Sequence, residues 1–227
     1  MTPSNEQKIT ITENGPYIVT GSIPISEKVI TPNGKGYIWT EGDPIPQSEA
    51  YALCRCGHSS TAPFCSGAHV KIEFDGTEIS GKSEYEDRAK LYLGPELNML
   101  DDDRCAFARF CHREKGTAWE LLETSDDPHD RKEAIRAASE CPAGRLTAMG
   151  LDGSLMEDDL KPEIVVIQDP MKGVSGGLYV KGGIKLVSYD KTEYETRNRY
   201  VLCRCGVSSI RPFCDATHID EQYRDKK

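Results

Sequence analysis

The sequence has no run near the roughly 18 consecutive apolar residues that a membrane-spanning helix needs, and its mean hydropathy of −0.54 is that of a polar chain. It has no basic excess either: 28 Lys plus Arg stand against 37 Asp plus Glu, a formal net charge of −9. That balance argues against nucleic acid as the main partner and leaves a basic or neutral protein as the better fit. The acidic clusters Asp101–Asp103, Asp126–Asp127 and Glu157–Asp159 read as solvated surface, with steering of such a partner as the alternative. The opening residues MTPSNEQKIT hold no basic stretch followed by an apolar run, so no secretory leader and a cytoplasmic location are expected. Nucleophile elbows, phosphate loops and paired catalytic carboxylates are absent as well, and no enzymatic activity is expected.

Cysteine is not scarce. The chain has 9 in 227 residues, long enough to bury a core without staples, and an odd number cannot pair completely within one chain. They fall into three groups of three.

Two of these groups belong to a repeat. Residues 51–69 (YALCRCGHSSTAPFCSGAH) and 200–218 (YVLCRCGVSSIRPFCDATH) are identical at 12 of 19 positions without a gap. A fainter echo lies upstream, where 17–25 (YIVTGSIPI) parallels 178–186 (LYVKGGIKL). Each repeat thus predicts a strand or two followed by a ligand loop. The linker is longer in the first copy, where the glycine and proline signals of 31–47 predict a surface hairpin or loop.

Each loop offers three thiols and one imidazole. Cys54 and Cys56, two apart on an extended stretch, point to the same side of the backbone. Cys65 and His69 are four apart, and with Ser66 as N-cap one helical turn presents both to the same point. Cys203, Cys205, Cys214 and His218 repeat the pattern, with Asp215 as the cap. Soft thiolates suit iron–sulfur clusters and zinc alike, and a zinc-stabilised interaction module stays open on spacing alone. The one-residue spacing within each first pair is tight for a zinc knuckle. Arg55 and Arg204 bring a positive charge that favours a reduced cluster, or they lie solvated at a strand edge.

The pattern C-R-C-x2-S-x3-P-F-C-[DS]-[GA]-[AT]-H resembles the CDGSH iron–sulfur motif of the NEET proteins. The resemblance implies a [2Fe–2S] cluster in each loop, with Cys54 and Cys56 on one iron and Cys65 and His69 on the other. Cys203 and Cys205 pair likewise opposite Cys214 and His218. Ser59 and Ser208 stand at the motif serine, and Pro63 and Pro212 at the motif proline. The sequence departs from the family at Ser66, usually Asp, and at Ala216, usually Gly. Two motifs in one chain imply an α+β fold in which two pseudo-symmetric β-rich CDGSH modules, 1–85 and 156–227, form one NEET-like unit, a monomer with internal pseudo-twofold symmetry.

Residues 86–155 form an insert with the third group, Cys105, Cys111 and Cys141. Residues 128–140 predict a helix capped by Asp127 and stopped by Pro142, and 118–124 and 145–149 predict short strands on either side. Cys105-x5-Cys111 with a distant Cys141-Pro142 resembles a divergent single-cluster ferredoxin domain that has Ala108 in place of one cysteine. Three thiolates suit a [3Fe–4S] cluster, or a [4Fe–4S] cluster with another fourth ligand. Small buried cysteines without a cluster are the alternative. His58, His112 and His129 read as surface residues, and Trp39 and Trp119 as packing.

A neutral imidazole ligand removes negative charge from a cluster, raises its potential and makes it acid-sensitive. Single-electron transfer to a redox protein is the function expected. Storage of clusters and their donation to apo-protein acceptors is the alternative.

Overall fold

The computed structural model describes residues 6–225; residues 1–5, which open the segment read for a leader, lie outside the described residues. Alternating apolar side chains make the first strands. In β1 (Lys8–Ile11) and β2 (Tyr17–Thr20) every second residue, Ile9, Ile11, Tyr17 and Val19, is buried. β3 (Ile25–Asn33) and β4 (Gly36–Glu41) form the hairpin expected in the longer linker, with Trp39 stacked on Phe110 at 4.5 Å. β5 (Tyr51–Leu53) then leads into the first ligand loop, which ends in the single turn α1 (Ala68–Lys71), and α2 (Tyr85–Arg88) follows.

The insert contributes β6 (Lys90–Leu93), β7 (Asn98–Asp101), α3 (Ala118–Glu123), α4 (Pro128–Ser139), β8 (Leu146–Met149) and β9 (Leu155–Met156). Its sheet runs β6-β7-β8-β9, antiparallel throughout. The helix at 128 starts as expected, with the Asp127 carboxylate accepting from the His129 and Asp130 amides. Residues 118–124 are not the expected strand. Thr117 and Glu120 form a capping box, and Ala118, Leu121 and Leu122 bury one helical face against α4. Local capping, together with burial at helical spacing, outweighs the short apolar run that suggested a strand.

The second repeat supplies β10 (Glu163–Asp169), β11 (Val174–Lys181), β12 (Lys185–Val187), β13 (Arg199–Leu202) and the turn α5 (Thr217–Asp220). The two remaining sheets run β12-β1-β2-β5 and β13-β11-β10-β3-β4. The first sheet thus takes β12 from the second repeat and the second takes the β3–β4 hairpin from the first, each joined in parallel: β12 beside β1, with Ile9 opposite Leu186, and β3 beside β10, with Ile25 opposite Ile164. The remaining pairs are antiparallel, β1-β2-β5 in one sheet and β10-β11-β13 in the other. One apolar core lies between the sheets, drawing Ile9, Val19 and Leu53 from the first repeat and Ile164, Leu178 and Leu202 from the second. Burying each such side chain contributes about 1.5–3 kcal/mol, so the exchanged strands bind the two repeats tightly.

The insert is tied to this body by charge. Arg199, 2% exposed, donates to the carbonyls of Ala138, Cys141 and Leu146 and pairs with Glu157. Arg109 is bidentate on Asp169 at 2.7 and 3.0 Å. Two of the acidic residues read as solvated surface are not at the surface. Asp101 is buried against Arg145, and the Asp102 side chain, 3% exposed, pairs with Arg88. Among the described residues no helix is long and apolar enough to cross a membrane.

Candidate metal centres

The two ligand loops are laced by the same main-chain bonds. Cys54 N donates to Pro63 O and Cys203 N to Pro212 O, both at 2.8 Å, while Cys65 N donates to Ala52 O and Cys214 N to Val201 O at 2.8 and 2.9 Å. The motif serines close each loop, Ser59 Oγ donating to Phe64 O and Ser208 Oγ to Phe213 O. Both motif prolines follow cis peptide bonds. The main-chain and serine hydrogen bonds fold each loop back on its strand.

Within each loop the ligands meet in pairs. Cys54 Sγ lies 3.8 Å from Cys56 Sγ, and Cys65 Sγ lies 3.5 Å from His69 Nδ1. The second loop gives 3.5 Å for Cys203 and Cys205, and 3.4 Å for Cys214 and His218 Nδ1. Among the described residues, the one set of three or more potential ligands lying mutually within 4.8 Å is Asp127, His129 and Asp130, an exposed acidic cluster. No three ligand atoms of either loop meet that closely. A single tetrahedral zinc, with bonds of about 2.0–2.3 Å, draws all four of its ligand atoms to within roughly 4 Å of one another. Two pairs held apart fit a centre with two metal ions.

Ser66 and Asp215 are not the helix caps expected of them. The caps are Gly67 and Ala216, both left-handed with φ of 80° and 71°. Ser66 Oγ instead accepts from Ser60 N, and Asp215 from the Ser209 amide and hydroxyl and from Thr217, so both residues brace the loop. Burial opposes ionisation of Asp215, but the bonds from Thr217 and Ser209 outweigh it and bring its carboxyl down to about 2.

Arg55 and Arg204 are each 1% exposed, which overturns the strand-edge reading. Their polar chains turn inward because segments outside the two loops surround each guanidinium with acceptors. Arg55 donates to the carbonyls of Thr12, Gly15 and Gly76; Arg204 donates to those of Ile167 and Gly176 and pairs with Asp225.

The thiols behave as preorganised ligands. A hydrogen bond from its neighbour pushes Cys54 down to about 5 and Cys203 down to about 7, while Cys56 and Cys205 are driven up by the same pairing and by burial. Burial also raises Cys214, a cost that a cationic metal centre offsets. Burial and then the Arg204 charge hold His218 down at about 4, keeping its imidazole in the neutral, ligating form.

The loops stand back to back. Gly57 and Gly206 have φ of 79° and 88°, and a side chain on either strikes the other loop: a Cβ on Gly57 would meet the Cys205 carbonyl, and one on Gly206 would lie 2.7 Å from the Cys56 carbonyl oxygen. Tyr17 donates across the interface to Cys203 O and Pro212 O at 2.8 and 3.1 Å. Neither contact was read from the sequence, although the repetition of both glycines was a signal for one of them.

Cys105, Cys111 and Cys141 line one cavity of about 50 Å³ in the insert, with Ala108, Phe110, Trp119 and Arg145. Phe107 and Arg109 take positive φ of 57° and 66°, so the loop coils around the cavity at a conformational cost that the Arg109–Asp169 pair helps to hold. Burial raises Cys111 to about 12 and raises Cys141 as well. Among the described residues no other cysteine, histidine or carboxylate lines this cavity, so three thiols are the candidate ligands it offers. Cys214 of the second loop packs in the same apolar cluster as Ala106, Ala108 and Phe110, which sets the middle cavity beside the second centre. His58, His112 and His129 are exposed, as expected.

Comparison with known proteins agrees with this geometry. A family model described as iron-binding zinc finger CDGSH type matches residues 14–70 and again 175–219, and one described as divergent 4Fe-4S mono-cluster matches residues 92–150. The chain thus carries two CDGSH-type regions with an Fe–S-type region inserted between them. It is an iron–sulfur protein. No curated protein and no solved structure matches it.

Proposed function

We propose that this chain holds two [2Fe–2S] clusters, one on Cys54, Cys56, Cys65 and His69 and one on Cys203, Cys205, Cys214 and His218, and serves in single-electron transfer. The observation that carries this reading is the division of each ligand set into two close pairs held apart from one another. When bound, such clusters take up and release one electron at a time. The chain's own part is to bring thiolates and a neutral imidazole together, to shield them with Arg55, Arg204 and the loop amides, and to fix the two sites back to back. A third cluster, [3Fe–4S] or [4Fe–4S], belongs on Cys105, Cys111 and Cys141. The modules 1–85 and 156–227 act as one pseudo-symmetric monomer around the insert 86–155, with the strand exchange as the supporting feature. A cytosolic redox protein is the partner, and no catalytic step is assigned to the chain; nine free thiols suit a reducing compartment.

A second reading, donation of clusters to apo-proteins, draws support from the partly exposed Cys65 and His69, through which the first site reaches the surface. Iron and acid-labile sulfide counts with EPR test the main reading. About seven irons per chain correspond to a [3Fe–4S] middle cluster, about eight to [4Fe–4S] and about four to an empty insert. Colourless, EPR-silent, zinc-loaded protein would overturn it. Transfer to an apo-ferredoxin on mixing, faster than reversible reduction, favours the donor reading.

A further inference from the structure

The two ligand loops carry the same donors but different charges around them. Residues 66–76, from Ser66 through the turn after His69, contain Lys71 against Glu73 and Asp75. The matching residues 215–225 contain Arg224 against four acids, Asp215, Asp220, Glu221 and Asp225. Asp215 replaces Ser66 beside the third cysteine, and Asp220 replaces Lys71 two residues beyond the histidine. Asp225 falls where the first copy has Gly76. That exchange changes how the buried arginine between the first two cysteines is balanced. Arg204 is neutralised by Asp225, whereas Arg55 meets the Gly76 carbonyl, and among the described residues no carboxylate bonds to it. Asp75, whose carboxylate feels the Arg55 charge, is exposed and screened by water. Solvent access differs in the same sense: His218 is 4% exposed and Cys214 3%, while Cys65 and His69 reach the surface.

Adding an electron makes a centre more negative, so nearby positive charge and water favour reduction, and nearby negative charge and burial oppose it. Three differences, the unbalanced Arg55, the two-acid excess of 215–225 and the burial of the second loop, act in one direction. We propose that the two CDGSH sites are electronically unequal, with the first the easier to reduce and the second set lower by Asp215, Asp220 and Asp225 acting as tuning residues. An electron supplied by a one-electron reductant such as dithionite then rests at the Cys54–His69 site. The second site packs against the loop of the middle cavity, and of the two CDGSH sites the first is the more exposed, so the electron rests at the more accessible of the pair. This rests on the cluster occupancy proposed above.

Potentiometric titration of the full chain followed by EPR tests it. Two reduction steps are expected, with the first site favoured at least tenfold, which is 59 mV for one electron. Asp225→Asn should raise the lower step and leave the upper one in place. Lys71→Asp, a surface change without risk to folding, should lower the upper step and narrow the gap; Asp220→Lys should narrow it from the other side. His218→Cys, which adds thiolate charge at the second site, should move the lower step further down and so assigns it. Both sites titrating together, or Asp225→Asn and Asp220→Lys shifting the upper step, would overturn the inequality while leaving the cluster assignment intact. A chain with no reducible centre would overturn both.

Discussion

Two loops that share 12 of 19 residues end in unequal surroundings. The first is braced by Ser66 and closes its buried arginine on carbonyls, and its Cys65 and His69 reach the surface. The second is braced by Asp215, closes its arginine on Asp225 and packs Cys214 against the insert. The comparison teaches that ligand spacing is a local property, inherited by both copies, while the electrostatic shell depends on what the rest of the chain lays over each loop.

The largest expected contrast is in the arginines. Arg204→Met leaves the Asp225 carboxylate buried without its cation and should cost about 3–5 kcal/mol. Arg55→Met leaves carbonyls but no buried charge, and should cost about 2 kcal/mol. Urea unfolding of the two variants measures the gap, and equal losses would erase the contrast. Next, Gly57→Ala and Gly206→Ala each force a side chain at positive φ into the opposite loop and should cost about 2 kcal/mol. Because the loops stand back to back, each should lower iron content at both sites, and loss confined to the mutated loop would contradict that.

Acid should separate the loops further. His218 is neutral in the fold down to about 4, whereas an unfolded histidine takes a proton near 6.5. Its contribution to stability is therefore complete above pH 6.5 and lost as the pH falls towards 4. Solvent reaches the partly exposed Cys65 and His69 of the first loop more readily, so visible absorbance should bleach in two phases, the first site earlier. A single phase in the parent chain would count against it. The smallest effect concerns the helix caps. Ala216→Gly relieves a left-handed alanine and should stabilise by about 1 kcal/mol, while Gly67→Ala should destabilise by a similar amount. Thermal unfolding of both variants reads the signs.

Much of the site was legible because it is local. Cysteine and histidine spacing picked out the eight residues that the repeated loops bring together in pairs, and Asp127 with Pro128 marked the start of the longest helix. Reading failed where distant segments decide. Residues 118–123 became helical through a capping box and a neighbouring helix, Asp101 and Asp102 were drawn inward by Arg145 and Arg88, and Arg55 and Arg204 were buried by acceptors from other strands. Nothing in the spacing of Ala108 or Cys214 indicated that the middle cavity and the second loop share one apolar cluster.

The sequence by itself determined the candidate ligand pairs, their duplication and the CDGSH-type motif, since a few residues close in sequence suffice to bring thiol to thiol and thiol to imidazole. Only the tertiary structure decided that strands β3 and β12 cross between the repeats, that Gly57 meets Cys205, and that Asp225 reaches Arg204 while no carboxylate among the described residues bonds to Arg55. Those contacts join residues up to 177 positions apart, as Ile9 and Leu186 are, and they are settled by burial and charge pairing over the whole fold, which no local pattern encodes.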